Sequence, residues 1–64
     1  MDKQFFEVET EAYNTNVNIA YITEWWTNHE ADLRIVINGI AIEVNKHAKG
    51  YKELLKALVE RTVS

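Results

Sequence analysis

The 64-residue chain contains no cysteine, no proline, two glycines and a single serine, Ser64. Without cysteine there is no disulfide framework, and the thiolate chemistry of zinc fingers and redox motifs is excluded. With proline absent and glycine scarce, no stretch reads as a linker, and no repeat or low-complexity tract is present. No apolar run approaches the roughly 20 residues that a membrane-spanning helix needs. The charged start, "MDKQFFEVETE", lacks the form of a secretory signal. Residues 1–64 are therefore expected to be one small domain, cytoplasmic and without a membrane partner. The usual activated nucleophiles are missing as well, because the one serine is the last residue. The expectation is a protein that is not an enzyme and carries no cofactor.

Charge is unevenly placed. Residues 1–32 hold seven acids against the single base Lys3, whereas residues 33–64 hold six bases against three acids, for a net charge of −3. An acidic half followed by a basic half bears on partners, provided that folding keeps the two apart.

The clearest element is "LRIVINGIAIEV". Two β-branched runs flank Asn38-Gly39, the pair best able to adopt the positive φ angles of a type I′ turn. A two-residue turn sets Ile37 opposite Ile40, Ile35 opposite Ile42 and Leu33 opposite Val44, all apolar and all on one face. On the other face Val36 opposes Ala41 and Arg34 opposes Glu43, an opposite-charge pair of a few tenths to about 1 kcal/mol. "GYKELLKALVERT" reads as a helix: Tyr51, Leu54, Leu55, Leu58 and Thr62 form an apolar stripe with Val59 at its margin, and Lys49, Lys52 and Lys56 fall on the opposite side.

The middle, "YNTNVNIAYITEWWTNHEAD", is open to two readings. As a helix it aligns Ile19, Ile22, Trp26 and His29. As a strand it alternates Val17, Ile19, Tyr21, Thr23 and Trp25 with Asn18, Ala20, Ile22 and Glu24. Valine, isoleucine, threonine, tyrosine and tryptophan favour the strand. A turn near Asn14-Thr15 would then bring it back against residues 5–12. The expected fold is α+β: a four-stranded antiparallel sheet (β-β-β-β-α) with the C-terminal helix packed on one face, and β-α-β-β-α as the alternative. Its core would comprise Phe6, Val8, Val17, Ile19, Tyr21, Trp25, Leu33, Ile35, Ile37, Ile40, Ile42, Val44, Leu54, Leu55 and Leu58.

This arrangement gives "FFEVETEAY" a meaning. If Phe6 and Val8 face the helix, Glu7, Glu9 and Glu11 project from the far side of the sheet. They would share that face with Phe5, Ile22 and Trp26 and lie beside Glu24, Glu30 and Asp32, while the helix lysines point the other way. Alternate residues on a strand advance about 6.6–6.8 Å, and every second phosphate of a DNA strand advances about 6.8 Å. A row of glutamates can thus stand in for a phosphate track, although the same pattern also merely wets a strand. These nine residues form the expected partner-binding surface, with Trp26 as an aromatic anchor. Its partner would be a protein, in particular a basic nucleic-acid-binding protein or complex.

Other chemistry has less to stand on. "TNHEAD" groups His29, Glu30 and Asp32 without the ligand spacing of a zinc or calcium site, so no metal is expected. Lys46, Lys49, Lys52 and Lys56 suggest a phosphate-gripping stripe. Glu53 and Glu60 interrupt it in a chain that is acidic overall, so direct nucleic-acid binding is not expected.

"LRIVINGIAIEVNKHAKGYKELLKALVE" resembles the hairpin-plus-helix of small ubiquitin-like sulfur-carrier proteins, in which strand, Asn-Gly turn, strand and helix follow in that order. The stretch after the helix, "RTVS", has neither the later strands nor the Gly-Gly terminus that carries their chemistry, so that function is not carried over. In size and acidity the chain is also similar to small phage-encoded inhibitors of bacterial defence, such as anti-CRISPR and anti-restriction proteins. The expected function is a non-enzymatic inhibitor that masks the nucleic-acid-binding surface of its partner. A small homodimeric structural or regulatory module, its open sheet faces paired, is the alternative.

Overall fold

At Asn38-Gly39 both residues have positive φ, 53° and 79°. Around them β4 (Leu33–Ile37) pairs with β5 (Ile40–Val44) in the register that the two-residue turn dictates, Ile37 opposite Ile40 and Arg34 opposite Glu43. The computed structural model of the chain describes residues 4–10 and 13–63, Val63 by its backbone alone. Before this hairpin come β1 (Phe5–Glu9), β2 (Asn14–Asn18), one 3-10 turn (Ile19–Tyr21) and β3 (Ile22–Thr27); after it comes the helix α1 (Tyr51–Val63). The fold is α+β with two antiparallel sheets, β1-β2 and β3-β4-β5, and one C-terminal helix. Among the described residues no helix is long and apolar enough to cross a membrane.

The single four-stranded sheet is thereby corrected. What reads as one long second strand is cut in two, and the halves belong to different sheets. Asn18 makes the cut: its side-chain oxygen accepts from the Ala20 N–H at 2.9 Å, and the Ile22 N–H turns back to the Ile19 carbonyl. Asparagine offers the backbone this local alternative to a ladder bond. Far along the chain, the Arg61 guanidinium donates to the carbonyls of Ile19 and, at 3.1 Å, Ile22, so the end of α1 clamps the turn.

The turn resets the alternation. Val17 is buried, and a continuous strand would next bury Ile19 and Tyr21; instead Tyr21 is 62% exposed and Ile22 is 2% exposed. A bulge at Thr23 then shifts the β3–β4 register between Ile22 and Glu24, after which Trp25 pairs with Ile35 and Trp26 with Arg34. The two irregularities offset each other, so Trp25 packs against the core and Trp26 lies outside, as an unbroken strand would also have placed them.

Both sheets and the helix share one core. Phe6, Val8 and Val17 come from the first sheet, Ile22, Leu33, Ile35 and Val44 from the second, and Leu54 and Leu58 from α1. Ile19, Trp25, Ile37, Ile42, Tyr51 and Leu55 pack partly buried around it. Tyr21 and Ile40, expected in the core, are exposed. Ile40 lies directly beside the turn at the end of β5, beyond the reach of the helix stripe.

Two loops lock the layers together. In the β3–β4 loop the Asn28 side chain accepts from the Glu30 and Asp32 N–H groups at 2.9 and 3.0 Å, which holds Ala31 at a φ of 68°. The Asp32 carboxylate reaches across to accept from the Lys46 N–H at 3.0 Å, tying this loop to the one that leads into α1. The Tyr51 hydroxyl donates to the Ala31 carbonyl at 2.5 Å. Because Asp32 is only 6% exposed, Asp32→Ala removes a buried carboxylate and leaves the part-buried Lys46 N–H without its acceptor. The expected cost is about 1–3 kcal/mol, read as a lower urea midpoint with an unchanged slope.

Candidate functional site

Period-two alternation on β1 turns Phe6 and Val8 inward and leaves Phe5, Glu7 and Glu9 outside. The hairpin register sets each of them against an asparagine of β2: Phe5 opposite Asn18, Glu7 opposite Asn16 and Glu9 opposite Asn14. The outer face of the hairpin is therefore a column of two carboxylates and an aromatic ring beside a column of carboxamides. Phe5 is 58% exposed. Glu11 falls outside the described residues.

The expected separation of charge into two poles holds only in part. Lys49 Nζ lies 3.2 Å from Glu7 Oε1, with both side chains more than half exposed. The pair forms because β1 runs beside the segment entering α1: the Glu9 N–H donates to the Lys49 carbonyl at 3.1 Å, and Gly50 packs on the Glu7 backbone. An ion pair so open to water contributes about 0–1 kcal/mol. Lys52 and Lys56 are exposed on α1. A shallow recess beside this contact is lined by Phe6, Glu7, Lys49, Gly50 and Glu53.

The remaining expected residues do not join this face. Glu24 and Trp26 lie on the outer face of the three-stranded sheet, where Glu24 opposes Val36 and Trp26 opposes Arg34. Trp26 is 40% exposed. Arg34 in turn pairs with Glu43 at 3.5 Å, so this face carries its own cation. Glu30 is exposed at the β3–β4 loop, its carboxylate 4.0 Å from His29 Nε2.

Two residues leave the surface altogether. Ile22 is in the core, because the 3-10 turn reverses its side. Asp32 is a buried loop lock whose carboxylate is spent on the Lys46 N–H. Among the described residues, no three metal-ligating side chains converge.

Asn14, Asn16 and Asn18 share this face, and the alternation of the glutamates alone does not point to them. Their signal was present: three asparagines at every second position of a strand, where asparagine is depleted. Arg61 carried no such signal, since its carbonyl partners are 42 and 39 residues away. Comparison with protein-family models, curated proteins and solved structures finds no match to this chain.

Proposed function

We propose that the protein works by binding, and that the outer face of the β1–β2 hairpin covers a basic, nucleic-acid-holding surface of a protein partner. The observation that carries this reading is the ladder of exposed Phe5, Glu7 and Glu9 set against half-buried Asn18 and exposed Asn16 and Asn14. Glu7 and Glu9 supply negative charge at a rise of about 6.8 Å, matched to alternate phosphates of one strand. Asn16 and Asn14 add acceptors that neighbour each carboxylate, which suits the forked donors of arginine. Phe5 gives the contact an apolar anchor. Glu24 and Trp26 form a second, smaller patch on the other sheet.

Occlusion of this kind needs no catalytic group and acts at stoichiometric concentration. It is the mode expected of an inhibitor, and inhibition of a defence nuclease complex is its most concrete form.

The test is competition. Labelled DNA bound to a panel of CRISPR effectors and restriction nucleases is titrated with the protein. Displacement is expected from one of them, with an affinity that falls as salt rises. Glu7→Gln combined with Glu9→Gln is expected to weaken it about tenfold. Displacement that ignores both salt and the double substitution, or none across the panel, counts against the reading.

A further inference from the structure

The open edge of β5 is a second interaction surface, independent of the acidic ladder. In a two-residue hairpin the pair that closes the turn exchanges both backbone hydrogen bonds, and such pairs then alternate along the ladder. Ile37 opposite Ile40 closes this turn, so Ile40, Ile42 and Val44 bond inward to β4. The N–H and C=O groups of Ala41 and Glu43 face away from β4. Strand β5 has β4 as its only neighbour in the sheet, and no backbone partner for Ala41 or Glu43 is found among the described residues.

Natural sheets protect such edges with lysine, proline, a bulge or a covering segment. The opposite edge of this sheet, β3, has its bulge at Thr23 and is continued by the 3-10 turn that Arg61 clamps. Strand β1 is bonded on its free side by the Lys49 carbonyl. Among the described residues strand β5 has none of these devices: its register is unbroken, and its sequence is "IAIEV". The one charge, Glu43, is already paired with Arg34. At the end of the edge Ile40 is 64% exposed, an apolar side chain that the helix does not reach.

We infer that β5 pairs with β5 of a second copy, antiparallel about a two-fold axis at Ile42, to make a continuous six-stranded sheet. The strand is self-complementary in this register alone. Ala41 falls opposite Glu43 of the second copy, and Glu43 opposite its Ala41, so all four outward-facing residues exchange hydrogen bonds. Ile40 falls opposite Val44 of the second copy and is brought against the second core. A shift that centres the axis on Glu43 sets two carboxylates face to face. One that centres it on Ala41 pushes Glu43 against Gly39 in the turn and leaves one bonded pair in place of two. The pairing also sets both copies' Trp26–Arg34–Glu43 rows on the same side of the sheet, since directly opposed residues share a face.

Ala41 is exposed and packs on nothing in its own core, so charge can be placed there without disturbing the fold. Sedimentation equilibrium across concentration is expected to show a reversible dimer. Ala41→Glu sets a carboxylate against Glu43 at two symmetry-related positions and is expected to raise the dissociation constant roughly tenfold. Ala41→Lys sets an ammonium there and leaves the dimer as tight or tighter. Ala41→Pro removes an outward N–H and weakens it, with thermal unfolding confirming that each variant is folded. Trp26→Glu, which breaks a face-to-face dimer, leaves this one intact. A monomer at every concentration up to about 1 mM, a dimer indifferent to both charges at position 41, or one weakened by both, overturns the pairing. None of these outcomes bears on DNA displacement by the hairpin ladder, whose test is separate.

Discussion

Ile22→Ala is expected to unfold much of the population at room temperature, while Tyr21→Ala leaves the protein folded. The first side chain is 2% exposed and touches both sheets' shared core; the second is 62% exposed. Truncating a fully buried isoleucine costs about 2–5 kcal/mol, and a single core in a chain this short supplies only about 3–5 kcal/mol in all. Removing the exposed tyrosine is expected to move stability by about 0.5 kcal/mol or less. Urea unfolding followed by tryptophan fluorescence reads both, since Trp25 reports on the core. The contrast is diagnostic because an uninterrupted strand through residues 14–27 predicts the opposite order. A Tyr21 variant more damaged than the Ile22 variant would remove the 3-10 turn from the fold.

Gly50→Ala is the second large effect, with Gly39→Ala as its control. Both glycines have left-handed φ, +88° at Gly50 and +79° at Gly39. An alanine held in that region costs roughly 1–2 kcal/mol at either position. At Gly39 the added carbon meets nothing within 4 Å, so that is the whole effect. At Gly50 it overlaps the carbonyl oxygen of Glu7 and comes within 3.0 Å of Val8 Cγ1. The clash is with backbone and cannot be relieved by turning a side chain. Strand β1 must move off the start of α1, adding about 1–3 kcal/mol. Circular dichroism melts are expected to show a moderately lowered midpoint for Gly39→Ala and a largely unfolded Gly50→Ala. Equal effects would mean that β1 does not lie against the helix entry. The same shift moves Glu7 away from Lys49, so the substitution also reports on how the hairpin face is held.

Much of the fold could be read from short-range pattern. The β4–β5 hairpin needed only Asn-Gly chemistry and alternation, which act within a dozen residues. The helix needed only the spacing of Leu54 and Leu58, and the inward turn of Phe6 and Val8 needed only period two. Trp26 lies on the outer face because a turn and a bulge offset each other, so the alternation of one unbroken strand gives its side but not the path of the chain. Ile22 and Asp32 are buried, against the expectation from sequence, for a different reason. An isoleucine after a break in phase and an aspartate in a polar loop look the same locally whether they face water or not.

Composition and local pattern thus determined the β4–β5 hairpin with its Asn-Gly register, the helix stripe and the outward alternation of Glu7 and Glu9 on β1, because each depends on neighbours a few residues apart. Tertiary structure alone decided that the chain makes two sheets, that Asp32 is a lock, and that Glu7 meets Lys49. Each of those rests on a contact between distant segments: Arg61 on the Ile19 carbonyl, Asp32 on the Lys46 N–H, Gly50 on the Glu7 backbone. Local propensity permits such contacts, but their free energy exists only once the segments have been brought together.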